Sequence, residues 1–397
     1  MKIFMVDAAC SSMPYNHQLC DSMVNNDLNV YFFGSHYAHT KWDKETNYNR
    51  IDHFYKFTNW LYRGKPRGFL QRYIKTIEHV FNMITFTLEV HKEKPGIIHF
   101  QWSQLPFIDR WFLRSISSIN PIVYTVHNST PLHGEKIKFG FLRKVTPNFL
   151  KKFDALIVHT KYSKKIIVDK FSLNHEKIFI IPHGLLDYHL KDDKSSKIVS
   201  NPYDFLENEK IILLFGGISP YKGLDILIKA YSILPNYLKR KTRLLIVGRA
   251  NMNMNKIFKL AKSLNIFDRI IWDLRFVSEN EVTSIFRLST LIVLPYRHVD
   301  QSGVLMTLIN YGKPIVASRL GGFEELLEDG KHGHLFTPGD YNDLAKSLKV
   351  ILEDKELTKT MGDSVKKLAD NWMSWDQISR NTLRIYQKAI KGEKILK

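Results

Sequence analysis

Short apolar runs, each ending in a polar or small residue, recur along this chain with stretches of helical length between them. KIFMV, NVYFFGS, GIIHFQW, PIVYTVHN, ALIVHT and KIFIIPHG occupy the first half. IILLFGG, RLLIVGRA, RIIWDL, TLIVLPY and PIVAS follow in the second. Runs that are apolar throughout, rather than alternating, read as strands covered on both faces, and the helices between them supply the crossovers that parallel strands need. The pattern therefore predicts a doubly wound α/β sheet. It predicts two of them, because the alternation stops at Asp187–Lys210, a polar, charged stretch interrupted by Pro202, and then restarts. Helices are expected over Asn16–Val24, Tyr73–Lys92 and Tyr162–Phe171.

The bulk properties agree with that division. A chain of 397 residues is too long for one ordinary core and suits two domains. Its 44% apolar and 13% aromatic residues are those of a globular protein. Cys10 and Cys20 offer neither a disulfide framework nor a zinc pattern, which points to a reducing compartment. The opening MKIFMVDAAC reads as a strand and turn rather than a signal peptide, and no run of 18 apolar residues is present. A cytoplasmic protein is expected.

The formal charge of +19 is spread along the chain. Up to Leu185 there are 25 basic against 14 acidic residues, a net +11, and beyond it 33 against 25, a net +8. Such a field favours anionic partners: nucleotide phosphates, acidic membranes or nucleic acid. Phe54–Lys75 and Lys136–Phe153 interleave cations with aromatic rings. Each reads either as an amphipathic helix with rings in the core and cations in water, or as a membrane-surface patch. Nucleic acid is the weakest choice, since no recognisable binding module accompanies the charge.

In doubly wound sheets ligands bind beyond the carboxyl ends of the strands, so the strand tips hold the candidate residues. These are His127 and Asn128, His159, His183 and Gly184, Gly216 and Gly217, Arg249, Tyr296 and Arg297, and Ser318. No Gly-x-Gly-x-x-Gly follows a strand, and neither a Walker loop nor His-Glu-x-x-His occurs, which removes support for dehydrogenase, phosphate-loop ATPase and zinc protease chemistry.

Two junctions suit an anion. GGISPYKGLDILIKAY leaves a strand through two glycines and enters a helix after Lys222-Gly223, so backbone can approach a ligand and a lysine can neutralise phosphate. After TLIVLPY the chain turns through Asp300, Gln301, Ser302 and Gly303 into VLMTLINY, which places backbone N–H groups at a helix start, with Asp300 or Ser302 as its cap. Gly321-Gly322 precede Glu324 and Glu325 at a third helix start.

YTVHNSTPLHGE, HTKYSKK, IIPHG, FGGISPYKGLDILIKAY, LLIVGRA and VLPYRHVDQSGVLMTLINYGKPIVASRLGGFEELLEDGKHGHLFTPGD occur in an order that resembles glycosyltransferase family 4, of GT-B architecture. The resemblance covers most of the chain. It implies two Rossmann-like doubly wound domains facing a central cleft: residues 1–190 binding the acceptor, with the terminal helix 375–397 crossing back to them, and 205–374 binding the nucleotide-sugar donor.

It further implies a retaining transfer of a sugar from a UDP- or GDP-sugar to an acceptor hydroxyl, by front-face substitution without a protein nucleophile. Lys222 matches the lysine placed on the donor diphosphate, where it would stabilise the leaving group. His127 matches a histidine near the reacting centre. Gly217, Arg249, Asp300, Ser302, Gly303 and Val304 are the further donor-side candidates, and Asn128 and His183 those of the acceptor or cleft. No cofactor and no obligatory metal are implied. The first half's basic aromatic segments suit a glycan or glycolipid acceptor at an anionic membrane surface, which suggests surface polysaccharide synthesis (lipopolysaccharide or capsule) by a peripheral protein on the inner face.

The chain departs from the family pattern in two places. Where many members carry two glutamates across a seven-residue gap, this chain has Val299 and Thr307, with a Gln-Ser-Gly-Val loop between. The arginine usual upstream of the lysine is replaced by Gly217 or Ser219, and Arg249 or Arg297 is the candidate to compensate. Two other readings keep the fold: a nucleotide-sugar 2-epimerase, and a catalytically impaired nucleotide-sugar-binding scaffold.

Overall fold

The computed structural model describes residues 1–36, 46–62, 68–129, 147–186, 203 and 209–392. Most of the linker expected at Asp187–Lys210 lies outside these, as do 63–67 of the first basic aromatic segment and 136–146 of the second. The chain divides into two compact units, Met1–Gly184 with Met373–Lys397, and Leu185–Trp372.

The first unit holds a seven-stranded sheet built from β1 (Lys2–Asp7), β2 (Asn29–Gly34), β3 (Asn49–Asp52), β4 (Ile97–Trp102), β5 (Ile122–Thr125), β6 (Ala155–Val158) and β7 (Ile178–Ile180). The order is β3-β2-β1-β4-β5-β6-β7, and each pair is parallel. Ile3 to Val6, Ile97, Ile98, Ile122, Val123 and all of β6 are buried, as the unbroken apolar runs require. Val, Ile and Phe suit the pleated surface because their branched or flat side chains pack against neighbouring strands.

The second unit holds β8 (Lys210–Phe215), β9 (Thr242–Val247), β10 (Ile270–Asp273), β11 (Leu291–Leu294), β12 (Ile315–Ser318) and β13 (Gly333–Phe336) in the order β10-β9-β8-β11-β12-β13, again parallel. In each sheet the order reverses beside the first strand, at β1/β4 and at β8/β11. The connections leave opposite faces there, so the strand tips open a crevice.

Three expected helices are present with slightly longer bounds: Met13–Val24, Phe69–Glu93 and Lys161–Phe171. The last starts where Thr160 Oγ1 accepts the Ser163 N–H at 2.9 Å, a cap that satisfies an otherwise orphaned donor. The terminal helix Trp375–Lys391 begins with a capping box between Ser374 and Gln377. Its buried Ile378, Thr382, Ile385 and Tyr386 recur at helical spacing and pack on Met13–Val24, β5 and β6, so it belongs to the first unit. Among the described residues no helix is long and apolar enough to cross a membrane. Cys10 and Cys20 are buried and unbridged.

Candidate functional site

In the second unit the switch point between β8 and β11 is occupied by a lysine. Ser219 leads into a single turn, Pro220–Lys222, and Gly223 ends it in the left-handed region at φ +67°, where a side chain would strike the Pro295 carbonyl beyond β11. The turn directs Lys222 inward, to 4% exposure. Its Nζ donates to the Phe215 carbonyl at 3.2 Å and stands 5.4 Å from the centre of the Tyr296 ring. Gly216, at φ +95°, makes room: a methyl there would lie 2.7 Å from Nζ and 3.0 Å from Val304 Cγ2. Burial pulls the ammonium down to about 8 from its ordinary 10.5. No carboxylate among the described residues pairs with it, and a buried cation so placed is costly, a cost that an arriving phosphate would relieve.

The arginines divide in role. Arg297 donates to the Pro220 carbonyl at 2.7 Å and pairs with Asp225 at 2.6 Å, so it clamps the turn that carries Lys222. Arg249 stands exposed beyond β9, while its carbonyl accepts the Ile218 N–H at 2.9 Å. A methyl on Gly217 would lie 2.8 Å from Asn251 Nδ2, so Asn251 joins this rim.

The loop after β11 is built as expected at its cap. Ser302 Oγ accepts the Leu305 N–H at 3.2 Å and starts the helix Gly303–Leu308. Asp300 is buried, and Gly322 of the helix Gly321–Leu326 packs on its carbonyl. Gly303 lies beside Leu186, whose N–H donates to the Met306 carbonyl at 3.0 Å. Thr307 turns its hydroxyl back onto the Gly303 carbonyl at 3.0 Å, and Val299 is buried, so neither presents a polar group as a glutamate would. Ser318 Oγ and Gln301 Nε2 are buried with no hydrogen-bond partner among the described residues.

In the first unit the tips of β4, β5, β6 and β7 bring rings together. His127 is buried after β5, stacked on Trp102 with centroids 5.0 Å apart and 10° between planes. Its Nε2 lies 3.0 Å from Gln101 Oε1, and its Nδ1 lies 3.1 Å from His159 Nε2. His159 Nδ1 donates to the Ile181 carbonyl at 2.9 Å. His183 Nδ1 donates to the Gly184 carbonyl at 2.6 Å. Tyr15 sits at 5.0 Å, 5.5 Å and 4.7 Å from the rings of His127, His159 and His183, and at 5.2 Å from Trp375. Asn128 follows, half-buried.

Burial holds these imidazoles neutral. It drives His127 well below its ordinary value, with His159, His183 and His99 adding to the effect, and takes His159 down to about 4 and His183 to about 3. Below them His99 bridges Tyr386 and Thr125, each at 2.7 Å, and burial lowers it to about 3.

His127 and His183 are thus brought together, and so, in the other unit, are Lys222, Gly216 and Val304. Tyr15, Gln101, Trp102 and Trp375 were not singled out from the sequence. The ends of HFQW and the start of SWDQ carried the signal for three of these, and SSMPYNHQLCDSM, which resembles the family's first loop and helix, holds Tyr15; nothing in the chain order joins them. His159 stood at a strand tip without an assigned role.

Residues 196–368 match the family model described as glycosyl transferases group 1, and residues 15–185 match that of glycosyltransferase family 4. An uncharacterised glycosyltransferase of Methanocaldococcus jannaschii is 25% identical over 257 residues, 64% of each chain. The matches span between 57% and 64% of the length of four curated relatives, less than two thirds of each. The fold is shared with HepE of Anabaena, solved with UDP and glucose, at TM-score 0.73 and 17% identity over 98% of this chain and 100% of that one. It is shared too with WaaG, a glycosyltransferase involved in lipopolysaccharide biosynthesis, at TM-score 0.69 and 15% identity over 97% of this chain and 99% of that one. With its two sheets of Rossmann-like topology and family matches over 15–185 and 196–368, this chain belongs to the family 4 glycosyltransferases of GT-B fold.

Proposed function

We propose that this protein transfers a sugar, with retention, from a UDP- or GDP-sugar to the hydroxyl of a lipid-linked glycan, as a step in surface polysaccharide synthesis at the inner face of a membrane. The observation that carries the donor reading is Lys222: a buried ammonium at the β8/β11 switch point, facing a glycine turn where backbone can approach a ligand. Its charge would meet the diphosphate and stabilise it as it leaves, which is where negative charge develops. Arg297 holds the turn, and Arg249, Asp300, Ser302 and Gly217 are the neighbouring groups proposed to contact nucleotide or sugar. The chemistry assigned to Lys222 requires no metal or cofactor.

The solved relatives support the donor class, since HepE was crystallised with UDP and glucose. WaaG, by its part in lipopolysaccharide biosynthesis, supports the acceptor class. His127, with both ring nitrogens engaged and its proton affinity lowered, is proposed to act by position and polarity rather than as a general base.

A thermal-shift screen against UDP-, GDP-, ADP- and TDP-sugars, with Lys222→Ala alongside, tests the reading. A shift with one nucleotide class, lost in the variant, is expected. No shift with any donor well above ordinary affinities would overturn it. Interconversion of the donor sugar without transfer would replace it with the epimerase.

A further inference from the structure

The helix Phe69–Glu93 is apolar on two opposite sides. His79, Met83, Phe86 and Val90 pack inward at steps of four, three and four. On another arc stand Phe69, Tyr73, Ile77, Phe81, Ile84 and Leu88, each between 42% and 75% exposed. Their steps of four and three keep them in one row, roughly 28 Å long at the helical rise. An exposed apolar row of this length marks an interaction surface, since soluble surfaces keep such side chains scattered.

Two neighbouring helices each expose a tryptophan. Lys56–Leu61 is tied alongside by Glu78, which accepts the Phe57 and Thr58 N–H groups at 2.8 Å, and it exposes Trp60 to 73%. Pro106–Ser117 approaches from the other direction, with Ser115 Oγ 3.4 Å from His91 Nε2, and exposes Trp111 to 69%.

The charges on these three helices are uneven. Lys56, Arg72, Lys92 and Arg114 are exposed, with Arg110 half-buried over the Trp111 ring. Of the carboxylates, Glu78 is engaged by backbone, Glu93 pairs with Lys2, and Asp109 is buried against His79. Glu89 is the remaining one and is half-buried.

We propose that the first unit docks through this row onto an anionic lipid bilayer, with the helix Phe69–Glu93 lying in the plane of the interface. The row enters the acyl boundary, the two tryptophans sit at headgroup level where their amphipathic rings are favoured, and the cations meet lipid phosphate. A second copy of the chain is the poorer occupant, because face-to-face pairing would set the same cations against each other. The inference deepens the membrane-bound acceptor reading and rests on it only for that context, since vesicle binding is read without turnover.

The test is sedimentation of the full chain with vesicles of phosphatidylcholine alone and of equal parts phosphatidylcholine and phosphatidylglycerol. The unaltered protein is expected to bind the anionic vesicles at least about tenfold more tightly. Ile77→Ser with Phe81→Ser and Leu88→Ser should lose about tenfold or more of that binding. Because all three positions are exposed, the melting temperature and any nucleotide-sugar shift should stay unchanged. Arg72→Gln with Lys92→Gln and Arg114→Gln should abolish the preference for anionic lipid. No binding by the unaltered protein, or equal binding by the serine variant, overturns the proposal. So does a protein that self-associates through the row, becoming monomeric in the serine variant without change in vesicle binding. An intact nucleotide-sugar shift beside lost vesicle binding separates this failure from failure of the donor reading.

Discussion

His159 stands between the Ile181 carbonyl and His127, with Nδ1 2.9 Å from the carbonyl oxygen and Nε2 3.1 Å from His127 Nδ1. The carbonyl can only accept, so His159 carries its proton on Nδ1 and, being neutral, accepts at Nε2. His127 must then donate from Nδ1 and accept at Nε2. Gln101 Oε1, 3.0 Å from His127 Nε2, cannot supply that proton. The line closes with the Gln101 amide turned end for end and its N–H donating to His127, since two neutral rings supply two protons for three hydrogen bonds.

His159→Ala breaks that line and leaves His127 Nδ1 buried without its acceptor. A loss of about 1–3 kcal/mol in unfolding free energy is expected. Nitrogen NMR of labelled histidine should show the His127 proton moving between ring positions. An unchanged His127 spectrum would sink the relay.

The buried imidazoles make stability depend on pH. Unfolded histidine protonates near 6.5, whereas His159 in the folded chain does so at about 4, and His99 and His183 at about 3. The unfolded state thus binds more protons below about 6.5, so their contribution is full above that pH and is lost as pH falls toward 4. Each accounts for up to about 1.4 kcal/mol per pH unit. Denaturant titrations between pH 7 and 4 should show this decline, reduced in His99→Phe; a flat profile would contradict the neutral assignment.

Lys222→Ala removes the buried ammonium. Binding of a nucleoside diphosphate should weaken about 10- to 100-fold, the range of a charge-assisted hydrogen bond. Unfolding free energy should hold or rise, because no buried charge remains to be desolvated. Calorimetric affinity equal to that of the unaltered chain would remove Lys222 from the donor site.

The same lysine sets an upper pH limit. With the free-state value near 8, the ammonium is charged below that pH and increasingly neutral above it. Nucleotide affinity should therefore fall as pH rises through about 8, by up to about tenfold per unit, and this dependence should vanish in Lys222→Ala. A variant that keeps the same pH profile would assign it to another group.

Gly216→Ala should be disproportionately harmful for one methyl. It forces a side chain onto φ +95° and places carbon 2.7 Å from Lys222 Nζ. A cost of about 1–3 kcal/mol is expected, with weaker nucleotide binding. Wild-type melting and affinity together would show that the turn relaxes freely.

Much of this molecule was determined by its sequence alone. Strands buried on both faces need unbroken apolar runs, so IVYT, ALIV and LIVL could hardly become anything else, and the polar ends of such runs, at β5, β7 and β8, marked His127, His183 and the Lys222 turn. The family motifs, local in sequence, were legible for the same reason. Tertiary structure decided the rest. Parallel pairing of β4, β5 and β6 sets Gln101, His127 and His159 side by side across separations of 26 and 32 residues, and the terminal helix carries Trp375 to Tyr15 from the far end of the chain. The sequence drew attention to Phe54–Lys75, yet the exposed row runs on to Leu88. Composition cannot say which of two apolar arcs on one helix meets the core; packing against the sheet chooses one and leaves the other to water or to a partner.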